Sequence, residues 1–156
     1  MAFNYGRVSI ASDPNEDELS AELVIKLYRC AMAGLGYGDA SSWEFGLRLL
    51  AKTVPSEEVG PLFGRFYGFG RALLAAAQRP LSCRPISYSG NCADEALALR
   101  MIEMSQRANH NETLSAATML LGVDDLGSVL QAAQSLASAL SLCGLFVRSP
   151  SVTSVH

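Results

Sequence analysis

The stretch beginning at Asp13 leaves little choice of local structure. Asp13 is a good N-cap, Pro14 suits the first helical position, and Glu16 stands three residues after the cap, as in a capping box. Glu16, Asp17 and Glu18 lie at the positive end of the helix dipole. Leu19, Leu23, Leu27 and Ala31 recur every fourth residue, with Val24, Tyr28 and Met32 beside them. That spacing predicts one apolar stripe on a helix of about twenty residues. Gly34, Gly36 and Gly38 are expected to end it.

The same pattern continues along the chain. A second helix is expected to open at Ser41 or Ser42, turn Phe45, Leu49 and Leu50 inward, and stop before Pro55. A third runs from about Ser56 to Gln78. After a loop over 80–91, a fourth is capped by Asn91, buries Leu97, Met101 and Met104, and breaks at Asn109-His110-Asn111. A fifth carries Leu114, Ala117 and Leu121 to Gly122, and a sixth runs from Asp124 or Asp125 to Cys143. At 156 residues the chain has the length of one domain, with enough core to fold without staples. The fold class expected is therefore all-α: five to six helices in a compact bundle. Three stretches (3–10, 85–88 and 145–148) carry enough β-type patterning to form very short strands. The domain is expected to span residues 1–148, with 149–156 a frayed tail.

The third helix is unusual. Gly60, Gly64, Gly68, Ala72 and Ala76 follow one another at a spacing of four and form a small-residue ridge. Glycine inside a helix costs about 1 kcal/mol relative to alanine. The expected gain is close backbone approach, within one subunit or against another. The alternative is that residues 60–70, with Gly60-Pro61 and Tyr67-Gly68-Phe69-Gly70, form turns rather than regular helix. Phe63, Phe66, Tyr67 and Phe69 interleave with Arg65 and Arg71. Such a pattern can grip nucleic acid, but it also fits an amphipathic helix, and core packing is the reading taken.

The sixth helix carries no charge. From Leu126 to Val147 there are 22 residues without an ionised side chain. A membrane span of that length is possible in principle, but Gln131, Gln134, Ser135 and Ser138 give the helix a polar face. A neutral polar face suits partial burial, in the bundle or in a dimer.

Charge and motifs exclude several functions. Net charge is −3, with 12 basic and 15 acidic side chains, which disfavours nucleic-acid binding. Six arginines over 61–107 face only Asp94, Glu95 and Glu103, so an anion-contacting patch is conceivable there. Helices five and six match a helix-turn-helix in outline, yet the would-be recognition helix offers no Lys or Arg. Cys83, Cys92 and His110 lack zinc-site spacing, and no metal is expected. No phosphate loop occurs, and no catalytic constellation is legible, so no cofactor and no catalytic residue are assigned. Asp94-Glu95 reads as a helix-start pair explained by the dipole. The first ten residues lack a secretory pattern, so a cytoplasmic protein with free thiols at Cys83 and Cys92 is expected.

The expected function is a non-enzymatic protein-interaction module, homodimeric or bound to another protein. Its expected interface residues are Gly60, Gly64, Gly68, Ala72, Gln131, Gln134 and Ser138. A small enzyme or ligand-binding domain is the alternative, with Arg65, Arg71, Arg84 and Arg100 holding an anion between helices. A helix-turn-helix regulator is the second alternative.

Overall fold

The computed structural model describes residues 14–148, which form six α-helices: α1 (Pro14–Tyr37), α2 (Ala40–Ala51), α3 (Ser56–Ala76), α4 (Ala93–Gln106), α5 (His110–Leu121) and α6 (Gly127–Leu142). The all-α expectation holds. The segment 3–10 and the cap at Asp13 lie outside the described residues. Packing runs α2–α1–α3–α6–α4–α5, so α3 and α6 join an α1/α2 pair to an α4/α5 pair. One apolar core threads the bundle, from Val24, Leu27 and Ala31 through Phe63, Phe66 and Phe69 to Met101, Leu120, Leu136 and Leu140.

Helix boundaries follow their caps, and several differ from the sequence expectation. α1 continues past Gly34 and Gly36 to Tyr37, and the chain turns only at Gly38, where φ is +65°. Gly34 lies inside the helix under Trp43 of α2; a Cβ there would lie 3.2 Å from the indole. α2 is capped by Asp39 rather than Ser41 or Ser42. The Asp39 carboxylate accepts from the Ser41 and Ser42 N–H groups, and these bonds, Ser42 first, hold it below the usual carboxylate range. α4 is capped by Cys92 rather than Asn91, with Glu95 completing the box. α6 starts at Gly127, two to three residues later than expected.

α3 is a continuous helix over Ser56–Ala76, despite Pro61 inside it. Its glycines, however, fall into two kinds. Gly70 is the close-approach position: a Cβ there would lie 3.0 Å from Leu35 Cδ1 and 3.1 Å from Met32 Sδ. Gly60, Gly64 and Gly68 meet nothing within 4 Å and face away from the core. The tightest helix contact uses Gly46 of α2, where a Cβ would lie 2.8 Å from Phe63 Cε1 and 3.1 Å from Cys30 Cβ. Three helices therefore meet at Gly46. The aromatics of α3 are core, as expected: Phe63, Phe66 and Phe69 are buried, and Trp43 packs on Phe63 and Tyr67 at 5.6 and 4.8 Å between centroids.

No strand occurs among the described residues. Residues 85–88 form a turn closed by the Tyr88 N–H on the Pro85 carbonyl. Residues 145–147 belong to no regular element and pair with a side chain. The Gln106 amide donates to the Leu145 carbonyl and accepts from the Val147 N–H, both at 2.9 Å. One glutamine thus replaces a neighbouring strand.

Substituting Gly46→Ala is expected to destabilise the fold by about 1–3 kcal/mol, because the methyl enters a packed three-helix junction. Urea unfolding followed by circular dichroism measures this; an unchanged midpoint would show that the junction has slack.

Candidate functional site

Polar chemistry concentrates where the long connection after α3, residues 77–92, folds back onto α1 and α4. Arg29 lies in an otherwise apolar part of α1, between Leu27-Tyr28 and Cys30-Ala31-Met32. It is 1% exposed and pairs with Glu95 of α4, which is fully buried. The pair is bidentate: Nε donates to Oε2 at 2.8 Å and Nη2 to Oε1 at 2.9 Å. The other Arg29 donors reach main-chain carbonyls of the connection, at Ile86 (3.3 Å), Tyr88 (2.9 Å) and Gly90 (2.6 Å). All five guanidinium N–H groups are therefore used.

Glu95 is equally saturated. Each oxygen accepts from Arg29 and from one backbone N–H, Arg84 on Oε2 at 2.9 Å and Cys92 on Oε1 at 3.1 Å. Burial alone would raise its pKa. The Arg29 hydrogen bonds and the two backbone donors outweigh burial and hold it at about 2. The Arg29 guanidinium is raised in turn, first by its bond to Glu95.

Asp94 repeats the arrangement at the surface. Arg79 grips it with two bonds of 2.8 and 2.9 Å, and the Ser82 N–H adds a third at 2.8 Å. Arg79 first among these, they lower the Asp94 pKa. The two acids that read as a simple dipole pair thus anchor the connection 77–92 at both ends, near Arg79 and at Cys92. The sequence signal that points to this is a lone arginine inside an apolar helical run. Asp94 and Glu95 carried no comparable signal, because helix starts are commonly acidic.

Next to this anchor lies an open cleft of about 730 Å³ between α1 and residues 87–91. Glu18, Glu22 and Lys26 line one side, Tyr88 and Asn91 the other, and Arg148 the rim. Arg29 forms part of the floor but has no donor left for a ligand.

The four arginines considered as anion ligands do not converge. Arg65 reaches across to Ser135 of α6. Arg71 is exposed on α3, Arg84 lies over the Tyr88 ring at 5.0 Å, and Arg100 pairs with Glu112 at 3.1 Å. None lines the cleft. Of the residues considered for an interface, Gly60, Gly64, Gly68, Gln131, Gln134 and Ser138 are exposed, and Ala72 packs partly against the core. α5, a left-handed Gly122 at φ +70° and α6 do follow one another as helix, turn and helix. Among the described residues no group of His, Cys, Asp and Glu has the arrangement of a metal site, and no helix is long and apolar enough to cross a membrane.

Glu95→Gln is expected to cost about 3–5 kcal/mol, since it leaves the Arg29 charge buried and unpaired. The double replacement of Arg29 and Glu95 by leucine is expected to cost less than that single change. The pH dependence has a definite sign. The Glu95 pKa is lower folded than unfolded, so its contribution is complete above about pH 4.5 and is lost as pH falls towards 2. Its size is on the order of 3 kcal/mol. Acid titration by circular dichroism should show this loss in the native protein and not in Glu95→Gln. No known family, curated protein or solved structure matches this chain.

Proposed function

We propose that this protein works through protein–protein contacts and pairs with a second copy of itself across the outer face of α3 and α6. The observation that carries the reading is the row Gly60, Gly64 and Gly68, set on solvent-facing helix with nothing within 4 Å of where a Cβ would stand. Each such glycine weakens α3 by about 1 kcal/mol against alanine. Among the described residues no packing offsets that cost at these positions, whereas Gly46 and Gly70 have evident neighbours. A second backbone laid on the row would supply the offset.

The adjoining helix fits this use. Arg65 bonds Ser135, and the Glu58 charge is felt at Cys143, so α3 and α6 lie side by side and antiparallel. The outer side of α6 presents Gln131, Gln134, Ser138 and Leu142, with Leu142 89% exposed and no charge among them. Two such helices offer a face of roughly 30 by 20 Å. That is about 600 Å² per copy, at the low end of specific interfaces. A two-fold axis would set row against row, as isologous contacts require.

Sedimentation velocity across micromolar concentrations is expected to show a dimer, and Gly64→Glu a monomer with unchanged helix content. Gly64→Ala adds a second readout: a face packed in the dimer predicts lower stability, an open face predicts a gain of about 1 kcal/mol. A wild-type monomer at high concentration, stabilised by Gly64→Ala, would sink the proposal.

A second reading, a ligand site between helices, has the cleft by α1 in its favour. Lys26, Tyr88, Asn91 and Arg148, rather than Arg65, Arg71, Arg84 and Arg100, would meet the ligand. A thermal-shift screen of small anionic metabolites on the native protein and on Lys26→Ala tests it. A shift that Lys26→Ala abolishes is expected; no shift with any compound would count against it.

A further inference from the structure

Two thiols remain on the connection that Glu95 holds: Cys92 caps α4, and Cys83 lies beside the Glu95 carboxylate. Cys83 and Cys92 sit one at each end of the segment whose middle, residues 87–91, walls the cleft. The Cys92 Sγ donates to the Ser82 carbonyl at 3.4 Å. Peptide geometry then puts the Cα of Cys83, the next residue, no more than about 6 Å from that sulfur. The backbone N–H groups of Arg84 and Cys92 converge on the same carboxylate, which fixes both chain ends against one point. Arg29 meanwhile holds the carbonyls of Ile86, Tyr88 and Gly90, so the intervening chain is already ordered. Cross-linking it would cost little further ordering.

We propose that Cys83 and Cys92 are a redox pair that closes into a disulfide under peroxide and locks the 83–92 wall of the cleft. The chemistry balances with hydrogen peroxide as oxidant. The Cys92 sulfur attacks one peroxide oxygen and the O–O bond breaks. The departing hydroxide takes the Cys92 thiol proton and leaves as water, with sulfenic acid on Cys92. The Cys83 sulfur attacks that sulfenic sulfur, the S–OH bond breaks, and the second hydroxide takes the Cys83 proton. Two thiols lose two electrons and two protons, and one peroxide becomes two waters. Although Cys83 is exposed as a residue, desolvation of its sulfur and then the adjacent Glu95 charge push the thiol up to about 12 and hold it protonated, so Cys92 takes the first role. Cys30 is buried in the core and pushed up to about 11 by that burial, and Cys143 lies just past the end of α6, so neither competes for this bridge.

The test uses the full chain, fully reduced and then exposed to hydrogen peroxide. Thiol titration under denaturing conditions is expected to fall from the four cysteines of the sequence to two. Intact mass should drop by two hydrogens, and a dithiol reductant should restore both. C83S and C92S are each expected to abolish the intramolecular loss, whereas C30S and C143S keep it. C92S retains a helix cap, since serine is among the best N-cap residues. Four thiols surviving oxidation would overturn the proposal. So would sulfinic acid at Cys83 or Cys92 without a cross-link, or a bridge that forms only between chains.

Discussion

A single buried ion pair organises the irregular part of this protein. Removing Arg29 and Glu95 from water is costly, and their mutual attraction offsets that only if every remaining donor and acceptor finds a partner. Here they do. The guanidinium spends its surplus donors on three carbonyls of the connection, and the carboxylate spends its surplus lone pairs on two backbone N–H groups. The consequence is structural rather than catalytic: a saturated pair has nothing left to offer a substrate. It converts a stretch without regular secondary structure into a fixed wall, and so defines the cleft and brings Cys83 towards Cys92. Arg79 and Asp94 extend the same hold to the exposed end of the connection.

The second constraint is where glycine is used. Helices α1, α2 and α3 approach closely at Gly46 and Gly70, and Trp43 settles onto Gly34, because in each case a side chain from a neighbour occupies the space a Cβ would take. Among the described residues the glycines of the outer α3 face have no such neighbour. A helix weakened on its solvent side, next to a second helix whose exposed side is neutral, has the composition of a covered surface. The proposed pairing of two copies draws its support from that contrast. The redox pair is independent of it, since Cys83 and Cys92 lie on the connection and at the start of α4, not on α3 or α6.

By itself the sequence determined the all-α class, a count of five to six helices and much of the core, although Leu19, Phe45 and Leu114, read as apolar-face positions, are exposed. Those properties rest on local signals: apolar residues every three to four positions, caps, and glycine or proline at the ends. Boundaries shifted by a few residues: α1 runs past Gly34 to Tyr37, and the Asp39 and Cys92 caps replace those expected at Ser41 or Ser42 and at Asn91. The strand expected at 145–148 does not form; its backbone pairs with the Gln106 side chain, which no pattern of neighbouring residues announces. Only the tertiary structure decided which glycines are packed and which are open. Only it paired Arg29 with Glu95 across 66 positions of chain, because a bond between distant residues leaves no periodicity for a sequence to display.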